Sequence, residues 1–238
     1  MIVASLILGI LPAAVWLSYF IKKDLRPEPK RLLLKIFFLG MIATLPALLI
    51  ESSLEKAVLT NFLPKSSLLY IAINYFFIVA LSEEILKFLA VKIGISHHPE
   101  FDEPIDGMIY LITAAMGFAT MENLLTNAGI ALGQTANAFD HIILNTIMRF
   151  YGPTFLHALC SAIVGYFFAI SFFKKKRFYT FFGLCLAILL HGLFNYLIIL
   201  NEIFSLFSAF ILLAIMVFFV SKILFKRMKH EQIRQYKF

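Results

Sequence analysis

Charged residues are scarce in this sequence, and their scarcity excludes an ordinary soluble domain. Asp, Glu, Lys and Arg make up 15% of the 238 residues, whereas 61% of the residues are hydrophobic. A soluble domain contains about 45–50% apolar residues, and the mean hydropathy of +0.88 is accordingly high. The sequence is therefore predicted to be a polytopic membrane protein.

Cysteine is also rare, which excludes a disulfide framework. The two cysteines, Cys160 and Cys185, both lie within apolar runs. We expect them to be reduced, buried thiols that pack as small hydrophobic side chains. An internal repeat and an HExxH motif are absent as well, which disfavours the paired halves of many secondary transporters and the helix of common zinc proteases.

Seven apolar runs are each about as long as the roughly 20 residues that cross a bilayer. They are 1–21, 32–50, 68–91, 107–131, 148–173, 178–200 and 203–225. The connections between them are too short to contain a soluble domain. We therefore predict an all-α, polytopic transmembrane helical bundle in which residues 1–238 form a single integral membrane domain, with a motif-bearing core over about 68–200.

The basic residues predict the orientation of this bundle. The formal net charge is +7, but Lys and Arg cluster at the ends of apolar runs, in segments 22–35, 174–177 and 226–237. This distribution indicates positive-inside topology and not a nucleic-acid surface. The N-terminus is therefore predicted to lie outside and the C-terminus in the cytoplasm. The first run lacks a basic n-region and precedes Lys22 and Lys23, so we expect it to be a retained span.

The third apolar run contains three charged residues, Glu83, Glu84 and Lys87. An ionisable side chain within a spanning helix costs roughly 2.5–3.5 kcal/mol, so such residues usually face a cavity or the bundle interior and mark function. Glu83 and Lys87 share a helix face, whereas Glu84 lies about 100° further round. Lys87 can thus neutralise one carboxylate while the other stays available. The alternatives are a structural ion pair, or glutamates that end a span near the interface.

Three further spans also place polar residues at intermediate depth. These residues are Glu122, Asn123, His157, His191 and Asn195. A rise of about 1.5 Å per residue puts them in one band around the bilayer centre, with Glu84 nearer the cytoplasm. His191 and Asn195 are four residues apart and share a face. We therefore predict that the polar groups of the four spans meet in one cavity.

This set of residues suits water-mediated acyl transfer. The reaction needs a base for the water, an acid for the leaving amine and donors for the tetrahedral oxyanion. Catalytic roles are assigned to Glu83, Glu84, Glu122, His157, His191 and Asn195, with Lys87 and Asn123 in support. A mechanism that requires no cofactor is the first expectation. Zinc is the open alternative, with Glu84, Glu122, His157 and His191 as candidate ligands.

Five short motifs carry a resemblance to a known family. They are Glu83-Glu84-x-x-Lys87, the run DEPIDG at 102–107, Gly117-Phe118 followed by Glu122-Asn123, the isolated His157, and His191-Gly192-Leu193-Phe194-Asn195. Each is weakly specific alone, but their order and spacing over about 68–200 resemble the PrsW family of intramembrane proteases. That family is related to CAAX prenyl endopeptidases and bacteriocin-processing proteins. The flanking segments 1–50 and 203–238 resemble it only in hydropathy.

The resemblance implies a multi-pass endopeptidase of a bacterial plasma membrane that cuts a membrane-anchored protein, such as the anti-sigma factor cut by the type member. It implies water activation by Glu83 and Glu84 and oxyanion stabilisation by His191 with Asn195. His157 would be a further catalytic or ligand histidine. CAAX endopeptidases have a histidine at the position of Glu122, so whether this residue is a second acid or orients His157 stays open, as does metal dependence.

Two other functions use the same residues. A proton- or ion-coupled transporter would employ the buried glutamates and histidines as a relay, although no internal repeat supports it. A non-enzymatic scaffold or immunity protein would keep the fold with degenerate chemistry, whereas every motif position is intact here. The partners expected for the protease are a membrane-anchored protein and the lipid bilayer, with no nucleic acid.

Overall fold

A computed structural model describes residues 2–95, 98–133 and 137–235, and these residues contain helices and no strand. The all-α class is therefore confirmed. The α-helices are α1 (Ile2–Ile21), α2 (Lys30–Leu54), α3 (Leu68–Ile73), α4 (Leu81–Ile95), α5 (Asp106–Leu132), α6 (Ala138–Tyr151), α7 (Pro153–Phe173), α8 (Phe178–Leu200), α9 (Ile203–Phe218) and α10 (Phe225–Gln235).

Three π-helical segments extend or connect these helices. Glu55–Leu59 continues α2, Asn74–Ala80 joins α3 to α4, and Phe219–Leu224 joins α9 to α10. A π-turn is often found at a functional site, because the wider turn shifts the faces that the flanking helix presents. Asn74–Ala80 ends three residues before Glu83.

Six helical segments of the described chain are long and apolar enough to cross a membrane. Seven were predicted, and the difference is the run 68–91. That run forms one helical segment through α3, Asn74–Ala80 and α4. The last part of that helical segment contains Glu83, Glu84, Lys87 and Lys92, and these charges make it more polar than the six candidate spans. It is nevertheless central to the bundle, since α2, α5, α7 and α8 all pack against α4.

The span predicted over 148–173 is longer than expected. Residues 138–147 were assigned to a loop, but α6 begins at Ala138 and the chain turns at Gly152 before α7. Pro153 at the first position of α7 is favourable because that position needs no amide donor. The first part of α6 was not predicted as part of a span because it contains polar residues. One of them, Asn145, donates a hydrogen bond to Asn127 Oδ1 on α5 at 2.9 Å.

The central element of the bundle is α5, which packs against α1, α2 and α7. Every residue from Asp106 to Thr120 is buried. Two glycines bring α5 and α2 into backbone contact: a Cβ atom at Gly40 would lie 2.0 Å from the Ala114 carbonyl oxygen, and one at Gly117 would lie 1.9 Å from that of Phe37. Small residues that permit such close approach are typical of helix pairs in membranes.

The outer surface of the bundle is apolar, as a lipid-facing surface must be. On α9, for example, Ile203 and Phe204 are 84% and 85% exposed. The two cysteines differ in this respect. Cys160 is buried as predicted, whereas Cys185 is exposed, because it lies on the outer face of α8 and not on the face that packs against α7. The expectation of two buried thiols was wrong for Cys185.

The contact between α2 and α5 predicts the effect of filling a glycine position. Gly117→Ala would place a methyl group against the Phe37 backbone, which has no flexible end to move aside. Overpacking costs about 1–3 kcal/mol, more than the about 1 kcal/mol that alanine gains over glycine in a helix. We expect a lower midpoint of thermal unfolding in detergent.

Gly129→Ala is the matched control on the same helix, because no atom lies within 4 Å of a Cβ at Gly129. This variant should unfold at the wild-type temperature or slightly above it. Equal melting temperatures for the Gly117 and Gly129 variants would contradict the close contact between α2 and α5.

Candidate active site

The acid pair on α4 is organised around a buried lysine. The side chain of Lys87 is fully buried. Its Nζ atom lies 2.6 Å from Glu84 Oε1 and 3.3 Å from Glu83 Oε2. Three- and four-residue spacing on a helix brings both carboxylates within reach of one ammonium group. The expectation that Lys87 would leave one carboxylate free is therefore replaced by a shared ion pair with a shorter and a longer contact.

Two histidines from neighbouring helices join this group. His157 on α7 places Nδ1 2.9 Å from Lys87 Nζ and 3.7 Å from Glu83 Oε2. His191 on α8 places Nδ1 2.8 Å from Glu84 Oε1 and Nε2 3.9 Å from Glu83 Oε2. The two imidazole rings are 5.1 Å apart and nearly perpendicular. Each histidine therefore directs one ring nitrogen towards Glu83.

Glu122 on α5 contacts the other ring nitrogen of His157. Its Oε2 atom is 2.8 Å from His157 Nε2 and 3.0 Å from Arg149 Nη2. Asn123 accepts a hydrogen bond from Arg149 Nε and donates to the Gly9 carbonyl oxygen at 3.2 Å. Glu122 therefore orients His157 in this structure, while Asn123 fixes the arginine that pairs with Glu122.

The charges of the site nearly balance. With neutral imidazoles, the paired carboxylates Glu83, Glu84 and Glu122 exceed the cations Lys87 and Arg149 by one negative charge, and a further acid, Glu51, lies at the cavity wall. Buried carboxylates are costly without partners, and breaking such a pair is strongly destabilising. One excess negative charge at a buried site is suited to a bound proton or to a cation.

A cavity of about 360 Å³ opens beside these residues. Its polar lining consists of Glu51, Tyr75, Glu83, Glu122, Arg149, His157, His191 and Asn195. Glu84 and Lys87 do not line the cavity, because they lie behind Glu83 and the histidines. The predicted cavity thus brings together residues of four spans, namely Glu83, Glu122, His157, His191 and Asn195. Of the two adjacent glutamates, Glu83 faces the cavity and Glu84 does not.

Glu51 and Tyr75 were not expected at the site. Segment 51–67 was assigned to an external loop, but α2 continues through Leu54. Glu51 is thereby held near the cavity, where Ser82 Oγ donates to its Oε1 at 3.0 Å. An acid that directly follows an apolar run was the available signal. Arg149 was interpreted only as a marker of topology, although the need of buried Glu122 for a cation indicated a functional contact.

The donor set at Glu83, His157 and His191 fits a metal ion. One ligand atom from each lies within 4.8 Å of the other two. Three protein ligands with an open position are typical of catalytic zinc. The outer nitrogens of the two histidines contact Glu122 and Glu84 at 2.8 Å, and carboxylates in this position orient metal-bound histidines.

The glutamate that lies between the two histidines is not one of those that the sequence analysis named as metal ligands. His157 and His191 were expected among the ligands, with Glu84 and Glu122 beside them. The structure instead places Glu83 between the histidines and the other two glutamates on the far sides of the rings. Lys87 Nζ lies 2.9 Å from His157 Nδ1. For a metal ion to bind this nitrogen, the ammonium group would have to move away from it. The lysine could then keep its shorter contact, with Glu84 at 2.6 Å.

Comparison with known proteins gives consistent matches over most of the chain. The family described as PrsW family intramembrane metalloprotease matches residues 28–223. Protease PrsW of Geobacillus kaustophilus is 30% identical over 210 residues, which cover 87% of this chain and 85% of that protein. Protease PrsW of Oceanobacillus iheyensis is 32% identical over 194 residues, or 80% of each chain. That of Bacillus subtilis is 30% identical over 198 residues, again 80% of each. No solved structure matches.

The ion pairs of Lys87 predict that its removal destabilises the fold. In Lys87→Met, Glu83 and Glu84 stay buried without their ammonium partner, a change that typically costs about 3–5 kcal/mol. We expect a clearly lower midpoint of thermal unfolding in detergent. Lys92→Met is the matched control, because Lys92 is exposed on the same helix. Equal losses of stability in the two variants would contradict the role given to Lys87.

Proposed function

This chain belongs to the PrsW family of intramembrane proteases, and we propose on that premise that it hydrolyses a peptide bond in or beside the membrane segment of a membrane-anchored protein. Membership of the family makes the chain a peptidase and a multi-pass membrane protein. The observation that carries the mechanism is the convergence of Glu83, His157 and His191 on one buried cavity. The cell compartment that fits this role is the bacterial plasma membrane.

Glu83, His157 and His191 are the residues that would hold a metal ion, with zinc as the preferred identity. A bound zinc ion supplies a water molecule of lowered pKa and polarises the scissile carbonyl group. Glu84 and Glu122 keep the two imidazoles oriented through their outer nitrogens. This proposal departs from the first expectation of a cofactor-free mechanism, because Glu83 lies between two histidine nitrogens and not beside one free water site.

Glu122 is proposed as the general base. Its side chain is 21% exposed towards the cavity, whereas that of Glu84 is 1% exposed. Because Oε2 already contacts His157 and Arg149, the other carboxylate oxygen, Oε1, would take a proton from the attacking water as the water oxygen bonds to the carbonyl carbon. The same carboxyl group would then give that proton to the amine as the C–N bond breaks. Arg149 Nη2 lies 3.0 Å from Glu122 Oε2 and holds the carboxylate in place before the reaction begins.

Asn195 is proposed as the donor to the tetrahedral oxyanion. It lines the cavity one helical turn beyond His191 on the same face of α8. A side-chain amide placed at a developing oxyanion stabilises the transition state more than the ground state. The amide N–H of Asn195 is available for this role because the side chain is half-buried at the cavity wall.

The geometry of a helix favours an extended substrate. A helix is about 10–12 Å across with its side chains, and its peptide groups are engaged in its own hydrogen bonds. A transmembrane helix would therefore have to unwind locally before its peptide bond reaches Glu83 and Glu122. The substrate proposed from the family resemblance is a single-span protein such as an anti-sigma factor, cut where its helix is easily unwound.

Metal content and cleavage together test these roles. The purified protein would be assayed for bound metal by mass spectrometry and for cleavage of a membrane-anchored reporter. Glu122→Gln should retain stoichiometric metal and lose cleavage, because it removes the base and keeps the ligands. Glu83→Gln should lose both, because it removes a ligand. Cleavage that survives complete removal of metal would refute the metal-dependent proposal and restore Glu83 as the base.

The oxyanion role of Asn195 makes a separate prediction. Asn195→Ala should lower kcat by about 100- to 1000-fold, as expected for one lost oxyanion donor, while the metal content stays at the wild-type value. Asn61→Ala is the control, since Asn61 is exposed and does not line the cavity. Full proteolysis by Asn195→Ala would remove this residue from the mechanism.

A further inference from the structure

A second group of buried acids lies far from the active site. Asp24 and Glu28 belong to the segment between α1 and α2, and Asp106 is the first residue of α5. Their exposed fractions are 6%, 8% and 1%. One carboxylate oxygen from each lies within 4.8 Å of the other two. Asp106 is 16 residues from Glu122 on α5, or about 24 Å at 1.5 Å per residue, so the two groups are independent.

A hydrogen bond orients each of the two acids of the 22–29 segment. Asp24 Oδ1 accepts a hydrogen bond from the Arg26 amide at 2.9 Å. Glu28 Oε2 accepts a hydrogen bond from the Tyr110 hydroxyl group. These bonds fix the orientation of both carboxyl groups, as hydrogen bonds from outer residues do at metal sites.

Asp106 has one oxygen that accepts no hydrogen bond from a backbone amide or a hydroxyl group of the described residues. Its Oδ2 atom accepts from the amides of Asp102 and Glu103 at 3.1 and 2.7 Å. Its Oδ1 atom is buried and has no hydrogen-bond partner among the described residues. The Asp106 carboxyl group lies next to that of Glu28, with which it can share a proton or an ion. A buried carboxylate oxygen without a partner is costly and calls for a ligand at this position.

Charge points to a cation as that ligand. Asp24, Glu28 and Asp106 are three buried acids whose carboxyl groups lie together in one cluster. The nearby Arg26 guanidinium lies 3.0 Å from Glu103. Three carboxyl groups this close are stable together only if they share protons or a positive ion.

We propose that Asp24, Glu28 and Asp106 bind a hard divalent cation that ties the segment between α1 and α2 to the start of α5. An all-oxygen set selects Ca²⁺, Mg²⁺ or Mn²⁺ over zinc. Two oxygens on opposite sides of one Ca²⁺ ion can be about 5 Å apart, compared with about 4 Å for Mg²⁺. Donor oxygens that all lie within 4.8 Å of one another can therefore contact one Ca²⁺ ion together. The ion would fix α5, and with it Glu122, relative to α1 and α2.

Terbium luminescence tests this site directly. Tb³⁺ replaces Ca²⁺ at oxygen sites and emits when a nearby aromatic ring is excited, and Tyr110 contacts Glu28. The full-length protein in detergent would be titrated in a Glu83→Gln background, which removes the metal site of the active centre. We expect saturable emission that Ca²⁺, Mn²⁺ or Mg²⁺ displaces, and a higher melting temperature in the presence of the displacing ion.

In the same Glu83→Gln background, a second substitution, Glu28→Gln or Asp24→Asn, should weaken Tb³⁺ binding at least tenfold and abolish the shift in melting temperature. Added Glu100→Gln is the matched control: this exposed acid of a neighbouring loop should leave both unchanged. Tyr110→Phe should lose the emission and keep the calcium-dependent shift.

Absence of saturable emission from the protein that carries only Glu83→Gln would overturn the proposal and indicate shared protons. Displacement by none of the three ions, or binding unchanged by both Glu28→Gln and Asp24→Asn, would overturn it as well. Because the titration of the protein without these further changes is decisive, misfolding of one variant leaves the test intact.

Discussion

The structure of the active site depends on one buried ammonium group. Lys87 contacts Glu84, Glu83 and His157, and these residues belong to α4 and α7. In a membrane interior the ammonium and the two carboxylates could not be buried separately, because each would be an uncompensated charge. Together they form a group whose members fix one another. The position of His191 follows from that group, since its ring nitrogen binds the carboxylate that Lys87 already holds.

The packing of α5 supplies the second constraint. Its backbone touches α2 at Gly117 and Gly40, and α7 at Gly107, whose carbonyl oxygen would lie 2.3 Å from a Cβ atom at Gly165. Helices in such contact have little freedom to slide or rotate, because their backbones are in direct contact. Glu122 is one and a half turns beyond Gly117 on this helix. The distance between Glu122 and His157 is therefore set by backbone packing as well as by the hydrogen bond that joins them.

Much of the site was predictable because an ionisable residue within a membrane span is costly and usually has a functional role. Glu83, Glu122, His157 and His191 stood out against apolar surroundings, and all four line the cavity. The different positions of Glu83 and Glu84 were not predictable. Helical spacing shows that the two acids diverge, but only the neighbouring helices determine which of them faces the cavity. Glu51 was missed for a related reason, since a polar residue at the end of a run resembles a loop until the continuation of α2 is known.

The same limit explains the helix assignments. Long apolar runs identified the spans because length and hydropathy are properties of the segment alone. Helix α6 carries polar side chains such as Asn145, which are satisfied by a distant partner on α5, and no local pattern reveals such a partner. The orientation of the histidines is a tertiary property of the same kind. Each ring has a carboxylate on its outer nitrogen, so both inner nitrogens are directed towards Glu83 before any substrate arrives. A site organised in this way needs little rearrangement during reaction, which is the condition under which fixed dipoles and charges accelerate hydrolysis most.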